Sequence, residues 1–167
     1  MEMEIRHAEP EDAEALQAIH ADEALYANTL QLPMPPKTVW RKRLADIPDN
    51  MHVLVAEIEG EVVGSLALET MVSKRRRHVA SFGVSVKAAS QGKGVGRALI
   101  TAALDLADNW LDIRRIEITA YTDNTGAIGL YKSLGFVIEG EMVDYAYRNG
   151  EYVNAYQIAR IRKAKNG

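Results

Sequence analysis

The stretch Val79-Ala80-Ser81-Phe82-Gly83-Val84-Ser85-Val86 followed by Gln91-Gly92-Lys93-Gly94-Val95-Gly96-Arg97 decides the reading of this chain. The first segment alternates as a β-strand does. The second sets three glycines at alternate positions just before an amphipathic run, Leu99, Ile100, Ala103, Leu104, Ala107 and Trp110, that predicts a helix. A glycine-rich turn from strand into helix leaves backbone N–H groups unshielded beside the positive end of a helix dipole. That combination makes an anion site, most naturally for phosphate.

Around this stretch the chain reads as alternating strands and helices. Ile5 to Ala8 opens a strand, and Pro10-Glu11-Asp12 starts a helix with an apolar face of Ala15, Leu16, Ile19 and Leu25. Pro33, Pro35 and Pro36 exclude regular helix from Asn28 to Pro36, and Trp40, Leu44 and Ile47 mark a second short helix. Val53 to Ile58 and Val62 to Leu68 form a hairpin about Glu59-Gly60-Glu61. Beyond the glycine loop come a strand from Arg115 to Tyr121, a helix from Ala127 to Ser133 closed by Gly135, and a strand at Phe136 to Ile138. Asp144 to Arg148 and Glu151 to Ile158 flank Asn149-Gly150, a two-residue hairpin signal. Lys163 to Gly167 are expected to fray. The fold class is α/β (α+β), a single domain over 1–167. Its sheet is mixed but mostly antiparallel, with about seven strands flanked by about four helices.

Composition narrows the function classes. A chain of 167 residues with 47% apolar and 26% charged residues suits one globular domain. A net charge of −3 gives no drive toward nucleic acid or an anionic membrane, so neither is expected as a partner. The absence of cysteine removes disulfides, thiolate metal sites and a cysteinyl acyl intermediate. No His, Asp and Glu spacing suggests a metal. Met1-Glu2-Met3-Glu4 lacks a basic, apolar leader, so a cytoplasmic location is expected. Other phosphate-binding motifs fail: Gly92-Lys93 is followed by Gly94 where a P-loop needs Ser or Thr, and a dinucleotide fingerprint would need glycine where Leu99 stands.

The pattern Asn124-x-x-Ala127-Ile128-x-Leu130-Tyr131-x-x-x-Gly135-Phe136, the strand ending Phe82-Gly83-Val84-Ser85-Val86, and the loop with Gln91, Gly94 and Gly96 stand together in one order. In this the chain closely resembles the GNAT superfamily of N-acetyltransferases, over nearly its whole length. Tyr26, Asn28-Thr29-Leu30, Arg75 to Ala80 and Arg148 to Val153 are similar to the bacterial branch that acetylates free L-amino acids.

The resemblance implies acetyl-CoA as co-substrate, no metal, and direct attack by an amine in a ternary complex. Gln91, Gly92, Lys93, Gly94, Val95, Gly96 and Arg97 would hold the pyrophosphate. The edge of the strand at Phe82, Val84 and Val86 would pair with the amides of the pantetheine arm, and Asn124 and Ala127 would contact it. Gly83 is read as a bulge that opens the cleft. The Val84 N–H is the expected oxyanion donor, worth about 3 kcal/mol, and Tyr131 the expected acid. A tyrosine of pKa ~10 protonating a thiolate of pKa ~8.5 works uphill by about 2 kcal/mol, so Tyr131 acts first as a hydrogen-bond donor.

An amine of pKa ~10.4 is free base in roughly 1 of 2,500 molecules at neutral pH, so a proton acceptor is needed. Many relatives carry a glutamate on the strand before the loop; here Val79 to Gly83 has none. Glu69, His78, Glu117, Asp144 or water stand as alternatives, while His7, His20 and His52 read as surface or packing residues. Leu30, Leu32 and Met34 in the proline-bearing segment are expected to line a lid over the acceptor, and Lys74 to Arg77 to meet a substrate carboxylate or the 3′-phosphate of the cofactor. The leading acceptor is the primary amine of a free L-amino acid. A polyamine, an antibiotic or a protein N-terminus is the alternative within the same chemistry, and a non-catalytic CoA-binding sensor the alternative outside it. A homodimer through the C-terminal hairpin is compatible with the resemblance.

Overall fold

The computed structural model describes residues 2–163; residues 164–167, most of the stretch expected to fray, lie outside the described residues. Seven strands form one sheet: β1 (Met3–His7), β2 (Met51–Ile58), β3 (Glu61–Thr70), β4 (Val79–Val86), β5 (Arg115–Tyr121), β6 (Val137–Arg148) and β7 (Glu151–Ile161). Their spatial order is β1-β2-β3-β4-β5-β7-β6, and β4 with β5 is the one parallel pair. Five helices accompany them: α1 (Ala13–His20), α2 (Glu23–Tyr26), α3 (Val39–Ala45), α4 (Val95–Asn109) and α5 (Thr125–Ser133). This is the mixed, mostly antiparallel architecture expected.

Each face of the sheet carries its own core. On one, Leu54, Leu66, Leu68, Phe82, Ile116 and Ile158 pack with α4 residues Leu99, Ile100 and Ala103. On the other, Val53, Val55 and Val62 pack with Leu16 and Ile19 of α1, Leu25 of α2, and Trp40 and Leu44 of α3. Successive strand residues point to opposite faces, so the continuous run Val53-Leu54-Val55-Ala56 serves both cores. Glu59 and Gly60 turn β2 into β3 with φ of 52° and 79°, and Asn149 and Gly150 turn β6 into β7 with φ of 51° and 80°, both suited to two-residue hairpins.

Four expectations change. The first helix breaks after His20, and a new turn begins at Asp22, whose side chain accepts the Ala24 N–H. Trp110 lies just past α4 and is 77% exposed, so it is no part of the helix stripe. Val137 and Ile138 belong with Asp144 to Arg148 to one strand, β6, which begins just past Phe136 and whose register shifts between Ile138 and Gly140 and between Met142 and Ala146. Gly83 is no bulge: β3 and β4 pair without a register shift from Gly64↔Val86 to Thr70↔Ala80.

The opening expected at Gly83 arises on the other edge of β4. Parallel pairing with β5 covers Val79↔Arg115 and Ala80↔Ile116 only, after which the strands separate. Arg76 bridges their base from an exposed single turn, donating to Glu117 at 2.6 Å.

Candidate active site

The gap between β4 and β5 opens into a cleft of about 700 Å3, floored by Phe82 to Val86 and bounded by the glycine loop, α5, the end of β5, and Ala24 to Thr29. Which backbone groups face it follows from the hydrogen-bond pattern. Lys87 donates to the Val63 carbonyl at 2.7 Å and the Val79 carbonyl accepts from Met71 at 3.0 Å. In an antiparallel ladder the bonded positions alternate, so odd-numbered residues of β4 bond to β3. Phe82, Val84 and Val86 therefore turn their N–H and C=O groups to the open edge. The side chain of Gln91 reaches back to the Val86 carbonyl at 3.4 Å.

At the end of this edge the chain enters α4. Gly92 and Gly94 adopt φ of +78° and +82°, and nothing lies within 4 Å of where a Cβ would stand on either. Gly94 caps the helix in the left-handed conformation. None of the N–H groups from Gly92 to Arg97 meets an acceptor among the described residues; the first engaged donor is Ala98, bonded to the Gly94 carbonyl at 3.0 Å. Six free N–H groups at the start of a 15-residue helix, with clear space beside two glycines, suit a pyrophosphate. The open edge of β4 suits a chain of amides. The residues present thus fit acetyl-CoA.

Of the residues expected to hold the cofactor, Phe82, Val84, Val86, Gln91, Gly92, Gly94, Val95, Gly96, Arg97, Asn124, Ala127 and Tyr131 line the cleft, while Lys93 does not. Arg97 directs its guanidinium to Ser133 Oγ at 2.8 Å, bracing α4 against α5. Asn124 caps α5, its Oδ1 accepting the Ala127 N–H at 3.4 Å. Tyr131 sits on α5 with its ring against Phe82 and Phe136, at centroid distances of 6.0 and 5.9 Å. Burial pushes the pKa of its phenol up to about 12. No protein group among the described residues bonds that hydroxyl.

The four candidate bases are placed apart from the cleft lining. Glu117 is held by Arg76 at 2.6 Å and Arg115 at 2.9 Å, chiefly the Arg76 bond keeping its carboxyl below the usual range. A carboxylate so engaged is a poor base. His78 is exposed ahead of β4, its carbonyl accepting from Arg114 and Arg115. Asp144 stands in the β6 irregularity with φ of 53°, and Glu69 is exposed on β3.

The lid segment is tied at two points: Tyr121 donates to the Thr29 carbonyl at 2.7 Å, and Gln17 to the Pro35 carbonyl at 3.3 Å. Leu30, Leu32 and Met34 nevertheless point away from packing, at 68%, 79% and 91% exposure. Lys74 to Arg77 do not line the cleft. Ser85, Ser90 and Thr119 do, and none was marked by sequence reasoning, because a lone hydroxyl carries no spacing signal.

A sheet split between two parallel strands, with free strand edge, free helix N-terminus and a buried tyrosine around one cleft, suits thioester-dependent acyl transfer. The description "Acetyltransferase (GNAT) family" matches residues 14–136, and the chain belongs to that family. It is 48% identical over 161 residues to the L-amino acid N-acetyltransferase AaaT of Escherichia coli (strain K12), covering 96% of this chain and 99% of that one. Among solved structures, an acetyltransferase of the GNAT family from Streptococcus pneumoniae superposes with a TM-score of 0.83 at 27% identity, covering 96% of this chain and 100% of that one. The fold is shared too with yncA of Salmonella typhimurium, solved with its cofactor acetyl-CoA, at a TM-score of 0.84 and 23% identity, covering 100% of this chain and 98% of that one. The chain is an N-acetyltransferase.

Proposed function

We propose that the chain transfers the acetyl group of acetyl-CoA to the α-amine of a free L-amino acid, by direct attack within a ternary complex. The carrying observation is the single open line from the unengaged N–H groups of Gly92 to Arg97, along the free edge of Val86, Val84 and Phe82, to the Tyr131 hydroxyl. Acetyl-CoA, when bound, supplies an acetyl group activated as a thioester. The loop and the first turn of α4 hold its pyrophosphate, and the edge of β4 orients its arm. The Val84 N–H donates to the carbonyl oxygen as negative charge grows there, and Tyr131 donates to the departing sulfur.

The amino-acid assignment draws on the similarity to AaaT over almost the full length of both chains. The cleft wall supports it against a polyamine. Ala24, Asn28, Thr29, Gly83 and Thr119 are small or polar, and among the described residues no carboxylate lines the cleft to meet a second cationic centre.

Thiol release from acetyl-CoA across a panel of L-amino acids, polyamines and short peptides tests the reading. Amino acids are expected to turn over fastest. Turnover on polyamines or peptides alone would reassign the acceptor, and tight acetyl-CoA binding with no turnover would make the chain a sensor.

A further inference from the structure

The proton acceptor missing from the sequence is suggested by a buried pair on the acceptor side of β4. Odd-numbered β4 residues share the face packed by α1 to α3, opposite to Phe82 and its partner Tyr131. On that face Ser85 lines the cleft, and two positions earlier Gly83 leaves the space of a side chain open. Beneath Ser85 lies His20, at the end of α1, 4% exposed and stacked on Trp40 at 4.4 Å.

The hydrogen bonds fix the direction in which this pair works. His20 Nδ1 lies 2.8 Å from the Leu16 carbonyl, which can only accept, so Nδ1 carries the proton. Nε2 then presents its lone pair to Ser85 Oγ at 3.1 Å, and the serine is the donor. The lone pairs of Ser85 remain for a donor in the cleft. Desolvation of the ring, opposed by the Leu16 bond and aided by the charge of Arg43, holds the His20 pKa below its ordinary value, so the ring is neutral at neutral pH with Nε2 unprotonated. A plain fastening of α1 to β4 would be served by apolar contact without burying a hydroxyl and an imidazole.

We propose that Ser85 and His20 form the relay that takes the proton of the acceptor amine; the proposal rests on the acetyltransferase reading above. One N–H bond of the ammonium breaks, and its proton moves to Ser85 Oγ as the Ser85 hydroxyl proton passes to His20 Nε2. The nitrogen keeps the electron pair with which it attacks; as the C–N bond forms and the C–S bond breaks, the second proton it must lose passes to the departing sulfur, which leaves as thiol. The positive charge moves from ammonium to imidazolium, whose Nδ1–H stays on Leu16, and the proton leaves to water once product departs. Ser85 touches the substrate; His20 acts through it.

Steady-state kinetics of the whole chain with its best amino acid test this, alongside thermal unfolding and intact-mass measurement after exposure to acetyl-CoA alone. Ser85→Ala is expected to lower kcat about a hundredfold while KM for acetyl-CoA stays within about twofold. Ser85→Thr, which restores a hydroxyl, should recover most of that loss. His20→Gln preserves a hydrogen-bonding partner for Ser85 but takes up no proton, and should match Ser85→Ala. Wild-type kcat in both Ser85→Ala and His20→Gln with a lowered Tm would reduce the pair to a latch and overturn the relay. An acetyl group trapped on Ser85 would overturn it also, by making the serine a nucleophile. A wild-type chain silent on every amine would instead overturn the acetyltransferase reading itself.

Discussion

Tyr131 shows how burial changes the meaning of a motif. With its pKa near 12, protonation of a thiolate of pKa ~8.5 is uphill by about 5 kcal/mol, more than twice the cost at an ordinary tyrosine. In the proposed reaction the phenol would therefore stay protonated and act by donating a hydrogen bond as charge gathers on sulfur. Replacing it with phenylalanine leaves the contacts with Phe82 and Phe136 in place. Tyr131→Phe is expected to lower kcat at least about tenfold while the dissociation constant for acetyl-CoA and the Tm barely change. Unchanged turnover would remove Tyr131 from the mechanism. The residue itself was legible through its spacing from Asn124, Gly135 and Phe136. The Ser85–His20 pair was not, since 65 positions separate two residues that the fold sets 3.1 Å apart.

At the scale of elements, the site depends on how closely α4 approaches the sheet. Gly64 of β3 lies under its first turns, where an added Cβ would stand 2.9 Å from Val95 Cγ1, 3.0 Å from the Ser85 carbonyl oxygen and 3.2 Å from Leu99 Cδ1. The backbone oxygen cannot move without shifting β4, so the helix must yield. Gly64→Ala is expected to destabilise the protein by roughly 1–3 kcal/mol, and to weaken acetyl-CoA binding by displacing the N–H groups of the loop. Gly129→Ala is its control. On the exposed face of α5 the new Cβ meets nothing within 4 Å, and a gain of about 0.5–1 kcal/mol is expected. Chemical denaturation and acetyl-CoA titration of both variants check this, and equal stabilities would dismiss the close-approach argument. Elements with clean periodicity, β4, β5 and both hairpin turns, were legible in the sequence. Irregular β6 was not, because its register shifts break the alternation and it is exposed along most of its length.

For the whole molecule, the split sheet sets both function and weakness. Its halves share two parallel residue pairs, and struts such as Arg76 to Glu117 and Arg160 to Asp108 bind neighbouring elements. The separation of β4 from β5 has no local sequence signal. It is a property of the assembled sheet, and so the cleft had to come from resemblance. The same packing buries ionisable groups, which makes stability depend on pH in a defined order. His20 and His52 have folded pKa values held below their ordinary ones, mainly by desolvation. The unfolded chain then binds more protons, so stability is fully present above about pH 6.5 and declines as pH falls through that value. A second decline comes from Asp12, whose carboxyl is held low chiefly by its bond to Arg6 at 2.8 Å, with a further bond from the Glu9 N–H at 2.7 Å. Its contribution is present above an unfolded pKa of about 3.9 and is lost as pH falls through the lower folded value. Urea unfolding from pH 8 to pH 3 should therefore show a plateau, a shallow step near pH 6.5 and a steeper one below pH ~4. His20→Gln should shrink the first step to the part His52 contributes. Asp12→Asn should blunt the second while costing roughly 1–3 kcal/mol at neutral pH, because Arg6 loses a buried charged partner. A wild-type profile flat from pH 8 to 5 would mean that folding costs neither His20 nor His52 any basicity, and the burial argument for the first step would fall.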